Sequence, residues 1–101
     1  PDLATSYNNI GLVYKNMGEY SKALEYYEKS LKTKEISLPP NHSELAISYN
    51  NIGMTYDGMG DQSKALSYLE KALGIWRKSL PSTHPHIKNV MNSIAVVKKK
   101  L

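Results

Sequence analysis

Three asparagines recur at one spacing along the chain, and their side chains are the ones best suited to binding chemistry. Asn8, Asn50 and Asn92 are each separated from the next by 42 residues. An asparagine amide both donates and accepts hydrogen bonds, so a row of amides can pair with the N–H and C=O groups of an extended peptide. Such contacts bind the backbone of a peptide, so selectivity for its sequence must come from neighbouring side chains.

No catalytic arrangement accompanies these asparagines. The sequence has no cysteine, which excludes disulfides, thiolate metal sites and a cysteine nucleophile. It also lacks a glycine-rich phosphate loop, paired carboxylates and a nucleophile motif. His42, His84 and His86 are divided between two loops, unlike the convergent ligands of a zinc site. His42 and His84 hold equivalent positions before a helix, which favours capping or loop packing. We expect no enzymatic activity, metal or cofactor.

The asparagines belong to a longer internal repeat. Residues 3–18 return as residues 45–60, with the same Leu-Ala, Ser-Tyr-Asn-Asn-Ile-Gly, Tyr and Met-Gly in matching places. A repeat of this length predicts a solenoid, in which each unit buries its apolar face against its neighbours. The units are 1–42 and 43–84, and a third, incomplete unit covers 85–101. Because the chain begins at Pro1 rather than at Met, we interpret it as a piece of a longer array.

Each unit is expected to form two helices. Apolar residues at helical spacing predict helices at about 2–17, 20–37, 43–58 and 62–79, and another begins near Pro85. Proline ends the second helix of each unit, at Pro39-Pro40 and at Pro81. The predicted buried side chains include Leu3, Tyr7, Ile10, Ile36, Leu66, Leu73, Ile87, Met91, Ile94 and Ala95. Trp76 is expected to pack under the last helix, and its alternative role is an exposed anchor for a partner.

Small residues indicate where the two helices of a unit touch. Gly11 and Gly53 fall on buried stripes, where glycine costs about 1 kcal/mol relative to alanine. That cost is understandable if another helix must approach closely there. Ala23 and Ala65 occupy the matching places on the second helices. The bulky residues expected around these contacts are Tyr14, Tyr27, Tyr56 and Leu69.

This alternation of small and large residues resembles the tetratricopeptide repeat. The resemblance is carried by Ile10-Gly11-x-x-Tyr14, Ala23 and Tyr27, and by Ile52-Gly53-x-x-Tyr56, Ala65 and Leu69. The 42-residue period, the Asn-Asn-Ile-Gly segment and the Leu-Pro-x-x-His loop are similar to the repeats of kinesin light chains. The resemblance implies an all-α fold, a right-handed α-solenoid of antiparallel helix pairs with about two and a half repeats. The third unit departs from the pattern, which leaves its helix as either a cap or a truncated repeat.

The resemblance also implies a place for the asparagines, because the first helices of such repeats line a concave groove. Helical spacing places Leu12 and Lys15 near Asn8, where they could supply an apolar contact and a charge. The candidate groove consists of Asn8, Leu12, Lys15, Asn50, Met54, Asp57 and Asn92. An alternative role is structural, with Asn9 and Asn51 bonding the adjacent helix and setting its register.

Three functions remain open from the sequence. The first is a cytoplasmic scaffold or adaptor that binds a peptide segment of a partner protein. The second is a structural spacer that associates with itself through exposed repeat ends. The third is binding of an anionic partner, because residues 77–101 hold six cations and no acidic residue within a net charge of +4. Nucleic acid is disfavoured because no aromatic residues accompany these lysines. No apolar run reaches the length of a membrane span.

Overall fold

The computed structural model describes residues 3–39 and 42–101. All regular secondary structure in these two ranges is helical, as expected from the sequence. The expected helix start at residue 2, and the second proline of the 39–40 pair, lie outside the described residues. The five helices are α1 (Leu3–Asn16), α2 (Tyr20–Ser37), α3 (Ser43–Gly58), α4 (Gln62–Ser79) and α5 (Pro85–Lys100).

Two glycines fold the helices into hairpins. Gly18 and Gly60 have φ angles of 79° and 83°, in the left-handed region that glycine adopts without steric cost. The backbone N–H that follows each glycine donates to a carbonyl of the last helical turn, from Glu19 to Tyr14 and from Asp61 to Tyr56. This closure ends the first helix of each pair and reverses the chain direction.

Histidine side chains cap the N-termini of α3 and α5. The Nδ1 atom of His42 accepts from the backbone N–H of Glu44 at 3.2 Å. His84 does the same for the backbone N–H of His86 at 3.1 Å. These bonds satisfy amide groups that have no partner inside the helix. The capping role expected for the two histidines is therefore confirmed.

The helices of each pair approach most closely at a glycine. A Cβ atom on Gly11 would lie 2.8 Å from the Tyr27 ring and 3.2 Å from the carbonyl oxygen of Ala23. A Cβ atom on Gly53 would lie 2.9 Å from Leu69 Cγ and 3.2 Å from the carbonyl oxygen of Ala65. All four distances are shorter than an ordinary van der Waals contact, so the close approach predicted from the sequence is confirmed.

The hydrophobic core is larger at the C-terminal end of the stack. One cluster joins α3, α4 and α5, and a smaller cluster joins α2 to α3 around Ala23, Tyr27 and Ile52. Leu31 packs against both clusters. Trp76 is buried within the larger cluster and packs with residues of α5, as expected. The larger cluster contains Leu45, Ala46, Ala65, Leu69, Ala72, Ile75, Trp76, Ile87, Val90, Ile94 and Val97.

The first helix of each unit (α1, α3 or α5, called first-type helices below) has one face on the side of the preceding unit. This face is buried on α3 at Leu45, Ile52 and Thr55, and on α5 at Ile87, Ile94 and Val97. On α1 the equivalent side chains are exposed: Leu3 at 57%, Ile10 at 39% and Val13 at 57%. No helix within the described ranges covers that face of α1. The expected burial of Leu3 and Ile10 is therefore wrong, because a preceding helix pair rather than α2 would bury them.

Other expected core positions are also exposed. Ile36 is 89% exposed in the last turn of α2, and Lys78 holds the equivalent position on α4. Met91 and Ala95 are exposed on the side of α5 that corresponds to the α4-facing side of α3. Helical periodicity places these apolar residues on one face of their helix, but whether that face is buried depends on a neighbouring helix.

Candidate functional site

Two side-chain contacts join the first-type helices side by side. The amide nitrogen of Asn51 on α3 donates to the amide oxygen of Asn8 on α1 at 2.9 Å. The ammonium group of Lys100 on α5 lies 3.0 Å from a carboxylate oxygen of Asp57 on α3. Both contacts link residues 43 positions apart, so α1, α3 and α5 form one row.

The three predicted asparagines differ in environment. Asn8 is half-buried, and because its amide oxygen accepts from Asn51, its amide nitrogen is left to donate elsewhere. Asn50 is also half-buried, and its side chain has no hydrogen-bond partner within the described part of the chain. Asn92 is exposed. The bond to Asn8 confirms the structural role that was the alternative for Asn51, whereas Asn9 is exposed.

The other predicted groove residues offer apolar contact and charge. Leu12 is exposed on α1, whereas Met54 is half-buried and packs against the larger core cluster. Lys15 is half-buried. The carboxylate of Asp57 is paired with Lys100, so its charge is largely neutralised. Of the two predicted charges, Lys15 is therefore the one more open to a ligand.

Each unit also contains a tyrosine cluster that the sequence analysis missed. The first tyrosine cluster is Tyr7, Tyr14 and Tyr26, in which Tyr14 and Tyr26 stack with ring centroids 5.7 Å apart. Lys22 and Lys29 lie over its rings, and Lys29 Nζ is 4.9 Å from the Tyr26 centroid. All three tyrosines and both lysines recur 42 positions later, and this recurrence is the sequence signal from which the clusters could have been predicted.

The second tyrosine cluster is Tyr49, Tyr56 and Tyr68, with Lys64 and Lys71 over its rings. Burial raises the pKa of all three tyrosines. The carboxylates of Glu28 and Glu35 raise the pKa of Tyr68 further, after burial and Tyr56. Side chains of α2 therefore lie beside a cluster formed by α3 and α4.

The remaining candidate features take structural roles. The ring of His86 stacks on Trp76 with centroids 5.0 Å apart, and His84 lies beside His86. Among the described residues, no group of three or more histidine, aspartate or glutamate side chains is placed to hold a metal ion. Nor does any helix in those residues have the length and apolar character needed to cross a membrane.

Solved structures with the same arrangement of helices are known. The fold matches the kinesin light chain TPR-like repeats of Podosopora anserina with a TM-score of 0.83 and 22% identity, over 94% of this chain and 45% of that one. It matches BtubC (BKLC) of P. vanneervenii with a TM-score of 0.88 and 23% identity, over 96% and 38% of the two chains. The N-terminal domain of STI-1 of C. elegans matches with a TM-score of 0.71 and 18% identity, over 94% and 67%.

These identities show likeness of fold alone, and this chain spans less than half the length of the first two structures. No curated protein matches the sequence. The family model described as "Tetratricopeptide repeat" matches residues 2–78. That match covers most of the chain, including both glycine-centred helix pairs. The chain therefore belongs to the tetratricopeptide repeat family, and this membership indicates a protein–protein interaction module.

Proposed function

We propose that the chain is a cytoplasmic scaffold or adaptor module that binds an extended peptide of a partner protein along α1, α3 and α5. The three helices belong to the units 1–42, 43–84 and 85–101. The half-buried amide of Asn50, which has no hydrogen-bond partner among the described residues, carries the proposal. Because this amide reaches solvent and is not engaged by the protein, the N–H and C=O groups of a bound peptide could take the place of its water.

The spacing between neighbouring helices suits a peptide in an extended conformation. Packed helices lie about 8–10 Å apart, which matches roughly three residues of a β-strand. Asn8 and Asn50 would therefore meet backbone groups about three residues apart. Leu12 would contact an apolar side chain of the ligand, and Lys15 would favour an acidic one. With so few contacts, we expect affinity of about micromolar strength.

Substitution of Asn50 tests the peptide-binding proposal. A ligand is first selected on the wild-type protein from a displayed library of random peptides, and its binding is measured by isothermal titration calorimetry. We expect Asn50→Ala to weaken binding about five- to tenfold, because one hydrogen bond contributes about 1 kcal/mol. Asn9→Ala, which changes an exposed asparagine outside the proposed contacts, serves as the matched control. Unchanged affinity in Asn8→Ala/Asn50→Ala with full helicity would contradict the proposal.

A second candidate function is self-association through α1. Leu3, Ile10 and Val13 are exposed on α1, although their counterparts on α3 and α5 are buried between units. A second copy of the chain could cover this apolar face, which carries the same kind of side chains as an existing interface.

Sedimentation velocity at increasing protein concentration tests self-association. We expect a monomer–dimer equilibrium that Ile10→Glu/Val13→Glu shifts to monomer. Ile36→Lys is the matched control, since Ile36 is exposed and its counterpart is Lys78. A wild-type chain that remains monomeric at high concentration would rule out this function for residues 1–101.

A further inference from the structure

Beside the asparagines, the first-type helices carry apolar residues at one repeated position. Leu12, Met54 and Val96 are each separated from the next by 42 residues, and they are called the apolar row below. Leu12 is 45% exposed and Val96 is 50% exposed, whereas Met54 is half-buried. Each of them lies four residues after Asn8, Asn50 or Asn92, which is about one helical turn. The apolar row therefore crosses the same three helices as the asparagines and lies next to them.

The exposure of the apolar row is a property of the stacked units. The Asn51–Asn8 bond holds α3 beside α1, and Leu12 is 45% exposed with that neighbour in place. Met54 is accessible in part although α5 lies beside α3. The second helix of each unit packs on another side, where α4 meets α3 at Gly53. Stacking of the helices thus leaves the row open to a ligand.

The spacing of the row selects one extended conformation of the ligand. Packed helices lie about 8–10 Å apart, so the side chains of the row recur at about that interval. In a β-strand, every second side chain points the same way, at intervals of about 7 Å, and residues three apart point to opposite faces. In polyproline II, three residues complete a turn with a rise of about 3.1 Å each, so every third side chain points the same way at intervals of about 9 Å. Of these two conformations, polyproline II is the one that matches the helices.

The polar group beside the row suits the same conformation. Asn51 bonds α1 to α3, but Ser93 holds the equivalent position on α5, and its hydroxyl donates to the Asn89 carbonyl at 3.1 Å. Asn50 therefore keeps both the donor and the acceptor of its amide for a ligand. A polyproline-II backbone has no internal hydrogen bonds, so its N–H and C=O groups are free to pair with that amide.

Charge on the other side of the row selects against a cationic ligand. Lys15 and Lys99 lie three residues after Leu12 and Val96, and Asp57 holds the same position on α3. Asp57 pairs with Lys100 at 3.0 Å, so the two lysines determine the charge along this side. A ligand with acidic residues between its apolar ones complements them.

We propose that the groove binds a polyproline-II segment of a partner protein that carries an apolar side chain at every third residue. Each of these side chains contacts one member of the apolar row, and the backbone between them pairs with Asn50. The inference rests on the proposed function, because it specifies the conformation and sequence pattern of the same extended ligand. A proline-rich segment already populates this conformation, so less conformational entropy is lost on binding.

Three labelled peptides provide the probes. Two contain the same leucines, prolines and glutamates in different order: leucine stands at every third position in the period-three probe and at every second position in the period-two probe. The third, the strand probe, has leucine at every second position among threonines and glutamates and contains no proline. Fluorescence anisotropy measures their binding to the 101-residue chain. We expect the period-three probe to bind at least about tenfold more tightly than the other two, because it alone aligns its leucines with the row.

A variant of the protein locates the contact. Leu12→Ser should weaken binding of the period-three probe about fivefold, since it removes one apolar contact from an exposed position. Ile36→Ser is the matched control, because it makes the same kind of change at an exposed position of α2 outside the groove and should leave binding intact. Circular dichroism checks that both variants keep their helicity.

The outcomes separate this inference from the proposed function. Equal or tighter binding of the period-two or strand probe would overturn the polyproline-II inference alone, as would failure of all three probes while the library-selected ligand binds. Unchanged binding in Leu12→Ser would overturn it too, because the leucines would then lie elsewhere. If neither the probes nor any library peptide binds, the proposed function fails and the inference fails with it.

Discussion

At the scale of single residues, one glycine in each unit decides how closely the two helices approach, because glycine has no side chain. Gly53 lies against Leu69 and the backbone of Ala65, and Gly11 lies in the same way against Tyr27 and Ala23. Glycine inside a helix costs about 1 kcal/mol relative to alanine. The close approach offsets that cost because it lets large side chains of the second helix fill the space over the glycine.

Substitution of Gly53 should destabilise the protein strongly. Gly53→Leu forces a side chain into a space that Leu69 and the Ala65 backbone already occupy. We expect the free energy of unfolding to fall by about 3 kcal/mol, at the upper end of the range for overpacked cores. Denaturation with urea, followed by circular dichroism, measures the change.

Gly74 provides the control for this experiment. It lies within α4, and a Cβ atom there would meet nothing within 4 Å. Gly74→Ala should therefore raise the free energy of unfolding by about 0.5–1 kcal/mol through the higher helix propensity of alanine. Equal stability of Gly53→Leu and the wild type would show that the helices can separate at Gly53 without cost.

Some contacts of single residues could be predicted from the sequence, and others could not. The glycine contacts followed from local sequence, because a costly glycine on an apolar stripe implies a neighbour. The partner of Asn51 did not, since an amide that bonds a helix 43 residues away has the same sequence signature as one that binds a ligand. Ser30 is similar: it is buried and donates to the Ala4 carbonyl at 2.8 Å, although its counterpart is Ala72.

At the scale of helices, the tyrosine clusters hold the first and second helix of each unit together at one edge. Each cluster combines stacked rings with lysine ammonium groups that lie about 5–6 Å from a ring centroid. Cation–π contacts at exposed sites contribute about 0.5–1 kcal/mol each. The clusters therefore add to the glycine contacts instead of replacing them.

The second tyrosine cluster predicts a loss of stability at alkaline pH. Burial raises the pKa of Tyr49, Tyr56 and Tyr68 above the ordinary value of 10.0. The folded state then keeps phenolic protons that the unfolded state has released, so the contribution to stability is complete below pH 10.0 and decreases as the pH rises through the raised pKa values. Urea denaturation at a series of pH values measures the decrease.

Tyr68→Phe is the matched variant for this prediction, because it keeps the stacked ring and removes the ionisable hydroxyl. Its stability should decrease less steeply above pH 10.0 than that of the wild type. Identical slopes for the two proteins would show that Tyr68 does not contribute to the pH dependence.

At the scale of the whole molecule, the stack is uneven. The larger core cluster joins α3, α4 and α5, whereas α1 buries only Ala4 and Gly11. In a repeat protein each unit is stabilised mainly by its neighbours. Since no helix in the described ranges packs on the outer face of α1, the N-terminal end should open first.

Hydrogen exchange tests this uneven stability. We expect amides of α1 to exchange at least about tenfold faster than those of α4, which corresponds to a difference in opening free energy of about 1.4 kcal/mol or more. Ser30→Ala, which removes the bond to Ala4, should accelerate exchange in α1 and leave α5 unchanged. Protection of α1 equal to that of α4 would contradict the prediction.

The sequence by itself determined the helices and the way they pair, because helical periodicity, turn glycines and small residues on apolar stripes act over one or two helical turns or across one hairpin. Only the tertiary structure decided which apolar faces are covered. It also decided that Asn51 bonds Asn8 and that Asp57 pairs with Lys100. Both outcomes depend on side chains 43 residues apart, and on whether a neighbouring helix lies on a given side. The repeat therefore specifies a unit, and stacking decides which surfaces of that unit remain free to bind.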